Sequence, residues 1–170
     1  MRKLVAAVMV MGFALLGASA ARAQVRFGAN LSWGSETDLG LGAHLSFSLG
    51  DMAKNQPVEG LLTFDYFFPD EAPGAESTYW DLTANAIYRF VPRSSGAVPY
   101  AGGGLLISRF STDYSVDPDL SASKTDLGLS LVGGIRFKTA GTLLPFVEAR
   151  FELKDNSQVV LTGGVFFGKP

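Results

Sequence analysis

The chain contains no cysteine and a single histidine, His44, in 170 residues. Without thiols there is no disulfide framework to stabilise an exported domain, no thiolate metal site and no thiol nucleophile. One imidazole excludes a multi-histidine metal centre. Charged residues make up only 18% of the chain and never gather into a basic tract. That excludes a nucleic-acid partner, which needs a clustered Lys/Arg face. Long apolar runs are missing too: beyond residue 23 no apolar stretch reaches the roughly 18 residues of a transmembrane helix. Helical periodicity is absent from the same region.

What is present begins with MRKLVAAVMVMGFALLGASAARA. Arg2 and Lys3 form a positive n-region, and Leu4 to Leu16 form an apolar core too short to span a bilayer. Ala18-Ser19-Ala20 and Ala21-Arg22-Ala23 offer small-residue cleavage sites. Residues 1–23 therefore read as a secretory signal peptide and 24–170 as one domain of ordinary size. Loss of Arg2, Lys3 and Arg22 lowers the basic count from 14 to 11 against 16 acids, a mature net charge of about −5.

The mature chain alternates at a period of two, the mark of β-strands with one apolar face. In the first strand Phe27, Ala29, Leu31 and Trp33 alternate with Arg26, Gly28, Asn30 and Ser32. Comparable segments follow near 39–49, 58–68, 80–90, 99–110, 126–137, 144–154 and 159–167. In the fifth, PYAGGGLLISRF, three consecutive glycines hide which face is which, and it is left unassigned. Eight strands of about 10–12 residues suit the ~9–11 residues that a tilted strand needs to cross a bilayer. Connections 50–57, 92–97 and 138–142 are short, whereas 69–77 and 111–124 are longer and polar.

Alternation alone does not say which face meets water. A soluble barrel coats its outer face with Lys and Glu; here the polar positions hold mostly Gly, Ser, Thr and Asn. Their sparse charges are Arg26, Glu59, Asp65, Asp81, Arg89, Asp126, Arg136, Glu148, Arg150, Glu152 and Lys154, six acids and five bases. Near-balance suits a buried set, because an unpaired buried charge costs several kcal/mol. The aromatics fall at strand ends. With the N-terminus on the inner side, Trp33, Tyr66, Phe68, Tyr79, Trp80 and Phe110 collect at the outer rim. Phe27, Phe47, Tyr88, Phe90, Tyr100, Phe137, Phe146 and Phe167 collect at the inner rim. Two aromatic girdles around an aliphatic band, with the longer loops on one side, indicate a transmembrane barrel. The expected fold is all-β: an eight-stranded antiparallel up-and-down transmembrane β-barrel whose charges point inward.

The signal peptide, the eight alternating strands, PYAGGGLLI and the aromatic Phe167 closing the last strand together resemble the outer-membrane β-barrel domain family, the small barrels of the OmpA, OmpX and OmpW kind. The resemblance covers the whole mature chain and carries no catalytic residues. It implies a monomer in the outer membrane of a Gram-negative cell. Its partners would be outer-membrane lipid and lipopolysaccharide and, during biogenesis, the barrel-assembly machinery, which reads the aromatic ending of the last strand.

Candidate chemistry is thin. His44 and Ser46 share a face at i and i+2, a pair that a nearby acid would complete for acyl transfer. The spacing is similar to the His-x-Ser pair of outer-membrane lipid A deacylases, where the pair lies late in the chain and faces the membrane. Here it sits on the second strand facing inward, so the expectation is a lumen histidine among hydroxyls. Asp70, Glu71, Glu76, Asp113, Asp117 and Asp119 offer oxygen ligands for calcium, but their spacing matches no compact loop. No catalytic residue, cofactor or metal ligand is assigned. The expected role is structural or interactive: anchorage, loop display or envelope integrity. A narrow pore or carrier is the alternative, followed by a lipid A-modifying enzyme and a soluble lipocalin-like barrel.

Overall fold

The computed structural model describes residues 25–50, 56–69, 75–90, 96–114 and 122–167, the side chains of 75, 76, 113 and 114 aside. The proposed signal peptide lies outside them, as do the side chains of the six candidate calcium ligands. The strands are β1 (Arg26–Gly34), β2 (Asp38–Ser48), β3 (Val58–Phe67), β4 (Ala75–Arg89), β5 (Ala97–Tyr114), β6 (Ala122–Phe137), β7 (Leu143–Leu153) and β8 (Gln158–Phe167). Each pairs antiparallel with its sequence neighbours, and β8 closes on β1. Closure leaves no unpaired edge, which a strand structure in lipid requires.

The registers fix the barrel's size. Cross-strand partners lead from Arg109 through Trp80, Tyr66, Leu41, Leu31, Gly163, Val147 and Ile135 to Pro99, on the strand where the walk began. Start and finish differ by ten residues along β5. With a rise of about 3.3 Å and a strand spacing of about 4.8 Å, that stagger gives a tilt of roughly 40–45°. An eight-stranded barrel so tilted has an interior that side chains can fill.

The pleat sorts residues in the reverse of a soluble protein. Fully buried side chains include Arg150, Glu152, Asp65, Thr63 and Thr83, while Leu105, Leu127, Leu129 and Leu131 stand more than half exposed. Leu31, Leu41, Val147, Phe151 and Leu161 continue that apolar surface around the wall. A continuous exposed band of this kind has no place in water. Arg109, beside Trp80, is the one charge among the outward strand positions whose side chains are described.

Two ends can be told apart. The far end carries the β1–β2, β3–β4, β5–β6 and β7–β8 connections; the near end carries the other three. Phe27, Tyr88, Phe90, Phe137 and Phe167 face outward at the near end, with Phe27 directly opposite Phe167. Trp33, Tyr66, Phe68 and Trp80 face outward toward the far end, with Tyr66 opposite Trp80. Tyr100 does not join the near-end ring. It is 2% exposed and points into the barrel, because β5 turns its even-numbered residues inward. Tyr79 and Phe146 likewise point inward instead of forming rims.

The glycines that obscured β5 have a steric reason. A Cβ on Gly104 would collide with the Ala84 carbonyl, and one on Gly134 would meet the Tyr100 ring. Gly104 lets β4 and β5 approach closely, and Gly134 makes room for a lumen aromatic. Gly104→Ala should therefore lower stability by about 1–3 kcal/mol, the usual range for overpacking. Gly163→Ala, whose Cβ would meet nothing, should change little. Urea unfolding of both variants in detergent checks the pair; equal stability would remove the steric account.

The outer connections are shorter than the sequence suggested. Strand β4 begins at Ala75, β5 runs to Tyr114 and β6 begins at Ala122, so parts of 69–77 and 111–124 are strand. The pairs Ala75↔Tyr114 and Thr112↔Ala122 carry β4, β5 and β6 well past their neighbours at the far end. Ser77, Thr112 and Ser123 suggest loop by their polarity, but the pairs Ser77↔Thr112 and Ser111↔Ser123 make them strand.

Candidate functional site

The largest convergence of buried polar groups among the described residues is the barrel interior, and it is layered. At the near end Glu59 is the hub. Its Oε1 lies 3.4 Å from Arg26 Nη1 and 3.0 Å from Arg89 Nε. Its Oε2 accepts hydrogen bonds from Arg136 Nη1 at 2.5 Å and Ser46 Oγ at 2.8 Å. The Arg136 guanidinium stacks over Tyr100 and Phe166, 4.9 and 4.6 Å from the ring centroids.

Above that tier lies a plug that the strand pattern did not reveal. Leu61, Ile87, Tyr100, Val132, Leu144, Phe146 and Phe166 pack together inside the barrel. Phe146 and Phe166 pack as tilted rings 4.8 Å apart, and the His44 ring lies 4.7 Å from Phe146. The signal was available: these apolar residues sit at inward parity, but beside outward apolar neighbours they read as unbroken runs.

Arg150, on β7, organises the far half of the lumen. Its Nη2 donates to Asp65 Oδ2 at 2.7 Å and Asp81 Oδ1 at 3.2 Å, and its Nε donates to Glu152 Oε1 at 3.1 Å. Asp65 and Asp81 are direct cross-strand partners on β3 and β4, a repulsive placement that Arg150 neutralises from the opposite wall. Asn30 Nδ2 and Ser32 Oγ complete Asp65, donating to Oδ1 at 2.7 and 2.9 Å. Glu152 Oε2 accepts from Gln158 Nε2 at 2.7 Å and Lys154 Nζ at 3.1 Å. Lys154 also donates to Tyr79. Phe67, Tyr79 and Val160 close this end as a second apolar cluster.

Two pairings differ from simple strand geometry. Arg150 meets Glu152 two residues along β7, and Lys154, just past the end of β7, also meets Glu152; long side chains lean along the chain and span the rise. Arg136 and Asp126 on β6 do not pair with the β7 charges. Arg136 belongs to Glu59, and Asp126 pairs with Lys124 at 3.0 Å, in a partly exposed position near the far-end rim. The interior charges also divide unevenly. Arg26, Arg89 and Arg136 surround one acid at the near end, whereas Asp65, Asp81, Glu148 and Glu152 share Arg150 and Lys154 above.

His44 sits between the tiers at 2% exposure. Its Nδ1 is 2.9 Å from Asn30 Oδ1 and its Nε2 is 3.6 Å from Glu148 Oε1, while Tyr100 OH donates to Glu148 Oε2 at 2.7 Å. Ser46 turns away to Glu59. Ser46 is thus engaged by Glu59, and both side chains are buried in the lumen, unlike a Ser–His pair open to lipid. No group of three or more metal-ligating side chains converges among the described residues.

A closed strand wall, an apolar exterior and a charged, filled interior define a small transmembrane β-barrel of the outer-membrane type. Residues 4–154 match the family described as Outer membrane protein beta-barrel domain, and the chain belongs to that family. No curated protein is similar to it over its sequence. Among solved structures it is similar to Neisserial surface protein A (NspA), at 18% identity and TM-score 0.63, covering 85% of this chain and 96% of that one. It is also similar to the N-terminal β-barrel domain of Pseudomonas aeruginosa OprF, at 15% identity and TM-score 0.66, covering 87% and 100%. Ail, the attachment invasion locus protein of Yersinia pestis, gives 14% identity and TM-score 0.55, covering 85% and 96%. At these identities the likeness concerns the fold.

Proposed function

We propose that this protein is a non-enzymatic integral barrel of the Gram-negative outer membrane that anchors and displays its extended far-end strands at the cell surface. In this reading the near end faces the periplasm. The exterior contacts outer-membrane lipid and lipopolysaccharide, the assembly machinery inserts the barrel, and it works as a monomer. The observation that carries the reading is the sealed lumen: two apolar clusters and a paired charge network occupy the space that a conduit would need. A narrow pore is disfavoured by the same packing.

Display is supported by strand length. Strands β4, β5 and β6 have 15, 18 and 16 residues, against 9 to 11 for the other five. A tilted strand needs only ~9–11 residues to cross, so the excess rises above the bilayer as a three-stranded platform. The attachment role in the name of Ail fits such a platform.

Two measurements test this. Purified protein in planar bilayers should give no sustained conductance; stable channels would overturn the sealed-lumen reading. An epitope inserted after Val116 should be labelled by antibody on intact cells, while one inserted after Ser95 is not. The reverse result would invert the orientation.

A further inference from the structure

The near end of the barrel carries more positive charge than its own side chains neutralise. Three guanidiniums, those of Arg26, Arg89 and Arg136, meet one carboxylate, Glu59, whose two oxygens they already share. Lys138 stands just beyond, where its backbone N–H bonds Gly96 O. The next described carboxylate inward, Glu148, is engaged by Tyr100 and faces His44 and Arg150. Arg136 is held between two aromatic rings, yet its Nε and Nη2 are buried with no hydrogen-bond partner. Buried N–H donors of a charged group are costly to leave unmet, and like charges this close, partly withdrawn from water, attract a counter-anion.

We propose that this mouth binds one small oxyanion of the phosphate class. The side chains are graded in depth: Arg89 is 29% exposed, Arg26 11% and Arg136 7%. An anion entering from water thus meets Arg89 and Arg26 first, with the Arg136 guanidinium behind them at the base of the mouth. Guanidinium forks match the paired oxygens of a phosphate, and its charge of roughly −1.5 to −2 offsets the excess of two. The Tyr100–Phe146–Phe166 floor stops it there, which makes the mouth a binding site and not an entrance. The phosphate can come from solution or from a phospholipid headgroup at the rim. The only acidic side chain that the sequence places in the near-end connections 50–57, 91–96 and 138–142 is Asp51, an internal competitor.

The test is calorimetric titration of the mature barrel, refolded in a non-ionic detergent without phosphate. Inorganic phosphate should bind at one site, and Arg89→Gln and Arg26→Gln should each weaken it about tenfold or more, as expected for a lost charge-assisted hydrogen bond. Lys124→Gln, at the far end, should leave it unchanged. Arg89→Gln is the milder change because that side chain is partly exposed, and circular dichroism confirms that each variant is folded. In a second arm, phosphatidate is added to the micelle; binding there, with none by free phosphate, would assign the same site to a lipid headgroup. No binding in either arm, or binding equally strong in both arginine variants, would overturn the proposal. So would phosphate binding that appears only in Asp51→Asn.

Discussion

Arg150→Ala should lower the unfolding free energy of the barrel by about 3–5 kcal/mol, the cost of breaking a buried ion pair by removing one partner. Arg150 is fully buried, and among the described residues it alone joins Asp65 and Asp81 to Glu152. Its loss leaves two carboxylates facing each other across the β3–β4 ladder with no cation between them. The same change on the water-facing surface of a soluble barrel would cost ~0–1 kcal/mol. Urea unfolding in lipid or detergent reads the difference, and a loss below about 1 kcal/mol would place the arginine in water. The double variant adds a second check. With Arg150 absent, Asp81→Asn should restore part of the stability, because it removes the repulsion that the arginine had masked.

The second large effect is expected on the other face. Leu131 is 53% exposed on the outward side of β6, in mid-strand. Leu131→Arg should cost ~2–4 kcal/mol if that position meets the bilayer midplane, and the penalty should fall to ~0–1 kcal/mol near the interface. Thr125 lies on the same face of β6, opposite Arg109 at the far-end border, so Thr125→Arg is the matched control. Ser130 would be a poor one: it is fully buried in the filled interior, and an arginine there would fail for lack of room. Equal costs for Leu131→Arg and Thr125→Arg during refolding into vesicles would contradict the lipid assignment.

The outward face was legible because lipid imposes one demand on every strand, apolar at each second position. Leu127, Leu129 and Leu131 needed no knowledge of their neighbours to be placed. The inward face obeys no such rule. The side of Tyr100 is not legible in the sequence because Gly102, Gly103 and Gly104 carry no side chain to mark parity, and only the β4–β5 register settles it. Leu61, Phe146 and Phe166 do not declare themselves as interior residues, because apolar side chains serve a lumen plug as well as they serve lipid. The pairing of charges depends on the barrel's stagger, which brings Arg150 on β7 to Asp65 on β3. Nothing local in VEARFELK encodes that contact. The grouping of Arg26, Arg89 and Arg136 around Glu59 likewise draws on four strands and appears only once the barrel closes.

If the apolar face of this barrel lies in lipid, its two tryptophans report it directly. Trp33 and Trp80 are the only tryptophans in the chain, and both face outward toward the far end. In vesicles of lipids brominated along the acyl chains, the account predicts strong quenching of their fluorescence. It should be strongest when bromine lies near the headgroups and weaker when it lies at the bilayer centre, with little quenching by aqueous iodide. Fluorescence that is insensitive to brominated lipid at every depth but quenched by iodide would put the apolar face out of the membrane and contradict the account.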